Sequence, residues 1–408
     1  MNTGDSPAAS RSSTPAWPAA GSFEPVAHTA VDAAQAAQAA QAAQVWHLDD
    51  GLGTRIAVAS LGATWLSCRV PIGARDASTG LGTAAFSDAA SGPSPTTREV
   101  LLGRPTPAEH ASQPGYLGAV VGRYANRVAG ARFVLDGEEH RLLANEGANQ
   151  LHGGPDGFDR RPWTLLEHGS RHLLLALHSP DGDQGYPGAL RAAVRYTIEG
   201  PGQIRLDFEA RVDRPCPVNI TSHAYFNLDG DADPAHTIAQ HRIAIAAAHW
   251  LPVDDALIPT GEVAPVAHTP MDLRTQRAIG SQRFDHCYAL DGTPGPAAVI
   301  DSGDGLLRMT LHTDAPGLQF YGGHFLPGTT DRLGRAYASG AGFALEPQVW
   351  PDSPNRPHWP QWPGQGPVLR PGEVLRRQMR LQFLPLPKPP ARAPEPQSST
   401  HPGQPPSG

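Results

Sequence analysis

Hydrophobic and polar residues alternate with a period of two along one long stretch. Ile204, Leu206, Phe208, Ala210 and Val212 interleave with Gln203, Arg205, Asp207, Glu209 and Arg211. Successive side chains of a strand point to opposite faces, so this segment predicts a strand with one face on a core and the other in water. Leu307, Met309 and Leu311 repeat the pattern, as do Met379, Leu381 and Phe383. Arg132 to Leu143 predicts a hairpin, with Asp136-Gly137 supplying the positive φ angles of a tight turn. Gly and Pro punctuate the remainder, and outside an Ala- and Gln-rich arm no segment holds a helical period over three turns. These features predict an all-β fold, a large antiparallel β-sandwich or barrel.

Three segments lack that pattern. Residues 1–45 are rich in Ala, Gln and Pro, with no apolar face to accompany their helix-favouring alanines, and predict a frayed or disordered arm. Residues 385–408 are crowded with proline and cannot bury enough apolar surface to offset the entropy of ordering, which predicts a disordered tail. Residues 46–384 are expected to form one β-sandwich domain. Within it, Val70 to Val100 is rich in Gly, Ser, Ala and Thr and predicts a long surface loop.

Composition narrows the function. The 408 residues suffice for a sizeable core, and with 17% charged residues and a formal net charge of -7 there is no basic field to hold a phosphate backbone. Nucleic acid is therefore not expected as a partner. Eighteen histidines invite a metal reading, but the three cysteines, Cys68, Cys216 and Cys287, form no Cys-x-x-Cys pair, and no metal is expected. An odd number of scattered cysteines is no disulfide framework and points to a reducing compartment. No basic segment followed by an apolar one opens the chain, and no stretch approaches the ~20 apolar residues of a membrane span. The expectation is a cytoplasmic protein with no membrane partner, a monomer or a homodimer.

Several stretches carry dense chemistry. In Asn219 to Leu228, His223, Tyr225 and Asn227 would share one face of a strand. Such a face either grips a polyol or forms a polar layer that satisfies its own neighbours. In Phe343 to Asn355, Glu346 and Gln348 lie on one face of a short apolar strand that prolines then stop. A carboxylate in that setting is either paired with an arginine or used in chemistry. Gly122-Arg123-Tyr124-Ala125-Asn126-Arg127 lacks the strand-to-helix context and the Lys-Ser/Thr of a phosphate loop. Arg127 and His152, the latter in Asn149 to Gly154, read better as fixed donors for sugar hydroxyls. Asp183 to Gly188, Phe284-Asp285-His286 and Leu318 to Phe325 each have common structural readings when taken alone.

In their order these segments resemble the aldose 1-epimerase family, also called galactose mutarotases. The motifs are Gly-Arg-x-Ala-Asn-Arg, Asn-x-Leu-His-Gly-Gly, Gly-Tyr-Pro-Gly, Asn-x-Thr-x-His-x-Tyr-Phe-Asn-Leu, Ile-Pro-Thr-Gly-Glu at Ile258 to Glu262, Phe-Asp-His, and Leu-Glu-x-Gln-x-x-Pro-Asp. The resemblance implies a galactose-mutarotase-like supersandwich, no cofactor, and a free aldohexose such as glucose or galactose as substrate. It implies His223 as general acid and Glu346 as general base, with Asn126, Arg127, His152, Tyr225, Asp285 and Gln319 around the sugar. Pro347, Gly322 and His324 depart from the family pattern and bear on sugar preference.

The implied chemistry is spare. A base takes the proton of the anomeric hydroxyl while an acid protonates the ring oxygen, and the opened sugar recloses on either face. Reference pKa values of about 4.3 for Glu and 6.5 for His predict a carboxylate beside an imidazolium. Two alternatives stay open, a sugar-binding protein without turnover and an epimerase of the same fold for a different or phosphorylated sugar. A phosphate would want further cations, and the motif segments offer Arg123 and Arg127.

Overall fold

A computed structural model describes residues 43–73, 96–112, 114–233, 235–360 and 366–387. Most of the expected arm, tail and 70–100 loop lies outside the described residues, whereas Val45 and Pro385, expected in the arm and the tail, belong to strands. Strand Val45–Asp49 is the first and Leu375–Pro385 the last.

The alternating segments pair with one another. Gln203–Val212 lies between Leu190–Gly200 and Leu375–Pro385 in a nine-stranded antiparallel sheet, with Ile204 opposite Leu381 and Leu206 opposite Met379. Leu307–Thr313 joins the far side of the last strand, setting Met309 opposite Phe383 and Leu311 opposite Leu381. Each of these apolar residues is buried, so the three alternating segments build one continuous core face. The predicted hairpin forms from Arg132–Leu135 and Glu138–Arg141, with φ of 52° at Asp136 and 87° at Gly137. Among the described residues the α-helix Pro107–Ser112 is short, and no helix is long and apolar enough to cross a membrane.

A four-stranded sheet (Val45–Asp49, Arg55–Ala59, Trp65–Pro71, Thr97–Glu99) and a six-stranded sheet share that core. The six-stranded sheet runs Tyr225–Phe226, Phe343–Gln348, Gly317–Tyr321, Asp285–Ala289, His249–Trp250, Ala264–Pro265. Its pleat divides the labour. Phe226, Phe343, Leu345, Leu318, Phe320 and Tyr288 point into the apolar core. The alternate positions hold Tyr225, Glu346, Gln319 and Asp285 on the opposite face, where register sets Gln319 against Glu346 and Asp285 against Tyr321.

One expectation is corrected. The segment from Asn219 to Leu228 is not one strand. Thr221–Ser222 pairs with Val120–Val121, whereas Tyr225–Phe226 pairs with Phe343–Ala344, and His223 sits at the joint. Asn227 accordingly leaves the shared face and donates to the Ala341 carbonyl at 2.8 Å. The strand carrying Glu346 runs through Pro347 to Gln348 and ends before Pro351. The Val349 N–H points away from the neighbouring strand, to Asn219 Oδ1 at 3.0 Å. Pro347, two residues earlier, faces the same side, so its missing N–H costs no ladder bond to Leu318.

Candidate functional site

The break after Ser222 aims His223 at the polar face of the six-stranded sheet. Its backbone is held on both sides, its N–H donating to the Ala119 carbonyl at 2.8 Å and its carbonyl accepting from Gly118 at 2.9 Å. The side chain reaches Glu346, with 3.5 Å between Nε2 and Oε1, and both residues are almost wholly buried. Among the described residues the close ionic neighbour of Glu346 is therefore this histidine and not an arginine. Glu346 Oε2, His223 Nδ1 and Gln319 Oε1 are buried without a hydrogen-bond partner in another described residue. Such polar atoms are available to a hydroxyl-bearing ligand.

Electrostatics works against the expected charges. Burial pushes Glu346 well above the ordinary carboxylate range, reinforced by Asp285 and opposed by Arg127. Burial also lowers His223 to about 4. Burial therefore shifts both groups toward their neutral forms, away from the carboxylate and imidazolium of the reference values.

The remaining expected residues converge on this pair. Asp285 Oδ1 accepts from Gln319 Nε2 at 2.7 Å, and burial raises its carboxyl against the pull of Arg127. Tyr225 lies 4.9 Å from His223, ring centre to ring centre. His152 approaches His223 edge-on at 5.1 Å. Asn126 acts on His152 through its backbone: its N–H donates to His152 Nδ1 at 3.1 Å and its carbonyl accepts from the His152 N–H at 3.1 Å. With Nδ1 accepting from a backbone N–H, the His152 proton resides on Nε2, which is thereby a fixed donor. Burial, with His223 and Arg127 nearby, keeps this ring neutral.

Two residues of the site escaped the sequence reading. Glu146 holds Arg127 in a two-pronged ion pair, at 2.6 Å to Nε and 2.8 Å to Nη2. Tyr116 packs on His152 at 4.6 Å and lies nearly parallel to His223 at 5.8 Å. The available signal for Tyr116 was an aromatic in Gly115-Tyr116-Leu117-Gly118 just before the first motif, whereas nothing local marks Glu146 as the partner of Arg127.

Other highlighted residues serve the scaffold. Arg123 is fully buried and donates to Ser179 Oγ and to the carbonyls of Ser179, Pro180 and Gly188, so it has no place beside a phosphate. Tyr186 bonds Gln150, and Trp350 packs in the core on Trp359 and donates to the Pro316 carbonyl. Asp352 accepts from the Ala129 N–H, and its own N–H donates to the Arg127 carbonyl, which fixes the segment that carries Arg127.

Metal-ligating atoms do cluster here: one each from His152, His223 and Glu346 lie within 4.8 Å of one another. The Asn126 N–H occupies His152 Nδ1, so ligation through Nε2 would force its proton onto Nδ1 and break that bond. A donor set that must first lose a buried backbone bond fits a metal poorly. His168 and His172, four residues apart, straddle a hairpin turn between strands. A separate hollow of about 650 Å³, lined by Arg69, Arg98, Glu99, Asp231, Arg332 and Arg335 among others, includes none of the site residues. Its arginines face carboxylates such as Asp304, Asp231 and Asp331.

The aldose 1-epimerase family model matches residues 44–382. Aldose 1-epimerase of Escherichia coli (strain K12) is 40% identical over 352 residues, 83% of this chain and 94% of its own length. Galactose mutarotase of Homo sapiens is 42% identical over 288 residues, 67% of this chain and 81% of its own. In fold, the chain is similar to the crystal structure of an aldose epimerase homologue from C. elegans, with a TM-score of 0.74 at 24% identity, covering 85% of this chain and all of that one.

Proposed function

The chain belongs to the aldose 1-epimerase family, an isomerase that interconverts sugar anomers, and on that premise we propose that His223 and Glu346 are its proton-transfer pair, acting on free glucose or galactose. The observation that carries the proposal is the buried 3.5 Å approach of an imidazole and a carboxyl group, a pair suited to pass one proton between them. One partner of such a pair is always an acid and the other a base. The acceptor takes the anomeric hydroxyl proton, the donor protonates the ring oxygen, and reclosure returns both. Since the pair ends as it began, the same two residues serve both anomers.

The surrounding groups hold the rest of the sugar. His152 Nε2–H and the Arg127 guanidinium, fixed by Glu146, donate to hydroxyls, while Asp285 and Gln319 together accept and donate. Tyr225 offers an apolar ring to the C–H side of the sugar. A rigid grip on the other hydroxyls lets the C1–C2 bond turn while the rest stays put. The direct test is polarimetric. Pure α-glucose or α-galactose is expected to reach its equilibrium rotation faster with the protein than without it, and unchanged rates with both sugars would overturn the substrate assignment.

The shared proton also fixes the pH profile. Activity requires one proton on the pair. It is lost as pH falls through the His223 value of about 4, where both groups are protonated and no base remains. It is lost again as pH rises through the raised Glu346 value, where both are deprotonated and no acid remains. A bell with its acid arm near pH 4 is therefore expected in kcat/KM, and a profile flat from acid to alkaline pH would contradict the one-proton pair.

A further inference from the structure

A histidine that moves protons is ordinarily oriented by a hydrogen bond on its second ring nitrogen. In His223, Nε2 faces Glu346, and the hydrogen bonding that bears on the ring comes from its own backbone carbonyl and not from a second side chain. Its ring also has neighbours that set its plane. Tyr225 lies 4.9 Å away with 30° between planes, Tyr116 lies 5.8 Å away with 28° between planes, and His152 meets the ring edge-on.

Tyr116 is placed there by a turn built for the purpose. Its φ is 55°, a conformation costly for a bulky residue, and it lies between Gly115 and Gly118 at φ of 103° and 73°. The turn is bonded to the site itself, since the Gly118 N–H donates to the His223 carbonyl and the Ala119 N–H to the Tyr116 carbonyl. From outside, the Arg104 guanidinium donates to the Pro114 carbonyl at 2.6 Å and the His110 ring bonds the Leu117 carbonyl at 3.0 Å. Backbone strain kept by so many bonds, and delivering one ring to two histidines, calls for a function.

We infer that Tyr116 is a positioning residue for His223: its ring, with that of Tyr225, holds the imidazole in plane and stabilises the positive charge that develops on it as it takes up a proton. The inference rests on the reading of His223 as a proton-transfer group. The face of a phenol ring is electron-rich and attracts a cation most strongly where water is excluded. The charged and titratable groups facing His223 are Glu346 and the neutral His152, with Arg127 and Asp285 acting one step away through Glu346. Beyond its own backbone carbonyl, the groups that fix the plane of the ring are the two stacked aromatic faces.

The inference separates a ring from a hydroxyl. Tyr116→Phe keeps the ring and is expected to keep wild-type kcat. Tyr116→Leu and Tyr116→Met, which leave the backbone strain as it is but remove the π face, are expected to lower kcat roughly tenfold, the scale of a desolvated cation–π contact, with little change in KM. Ring-nitrogen NMR should show His223 titrating at lower pH in both variants and at its wild-type pH in Tyr116→Phe, a restoration that a merely structural role would not produce. Either folded non-aromatic variant suffices, and if neither folds, an altered His223 titration in Tyr116→Phe overturns the inference while an unaltered one supports it. Wild-type titration in a non-aromatic variant, or an equal loss of kcat in Tyr116→Phe, overturns it. His223→Asn, assayed alongside, distinguishes the failures: if it retains the wild-type rate, the underlying assignment of His223 falls. If it is inactive while the non-aromatic variants behave as wild type, the role of Tyr116 alone falls.

Discussion

Glu346→Gln is expected to slow the interconversion of anomers by about 10² to 10⁴, the usual weight of a positioned acid–base group. The substitution keeps shape and hydrogen-bonding capacity but cannot carry the transferable proton. Because burial already favours the neutral form of Glu346, the amide imitates the resting state, and the fold should hold. His223→Asn is expected to cost a similar factor. The double variant should be little slower than the worse single one, since two groups that share one proton act as a unit. Polarimetry on purified variants with matched unfolding curves measures all three. Near-wild-type rates in both single variants would refute the assignment of the pair.

The second large effect concerns the backbone that carries His152. Gly153 has a φ of 90°, and a Cβ built on it would lie 1.9 Å from the Gly122 carbonyl oxygen and 2.7 Å from the Arg123 nitrogen. Both are backbone atoms of a packed interior and cannot swing aside. Gly153→Ala is therefore expected to destabilise the protein by roughly 3–5 kcal/mol, overpacking added to a strained φ. Gly137→Ala, at φ of 87° but with nothing within 4 Å of the new Cβ, isolates the conformational part and should cost about 1 kcal/mol. Urea midpoints compare the two, and equal shifts would show that the close approach at Gly153 is not what matters.

The elements legible in the sequence were those with strong local signals. Strict alternation located Gln203–Val212 and its partners because a half-buried strand must alternate, and Asp136-Gly137 marked its turn because few residues accept positive φ twice in succession. Alternation could not reveal that the strand through His223 breaks, since Thr221 and Tyr225 both suit strands and the break is imposed by different neighbours, Val121 and Ala344. The site residues were named through ordered motifs, and the geometry gathers them at the pair. Their charge states were not legible, because reference pKa values know nothing of burial. Glu146 was missed for a related reason: an ion pair between residues 127 and 146 depends on the intervening chain folding back, which no short window records.

The pleat of the six-stranded sheet has a dynamic consequence. Gln319 and Glu346 lie on strands whose other faces, Phe320 and Leu345, are embedded in the main core. The floor of the site cannot fray separately, because any opening that exposes it also uncovers that core. The amide hydrogens of these strands should thus exchange with deuterated solvent only through whole-domain unfolding, and heat should abolish turnover and tertiary structure at the same temperature. The floor persists as a preformed mould, ready before any sugar arrives.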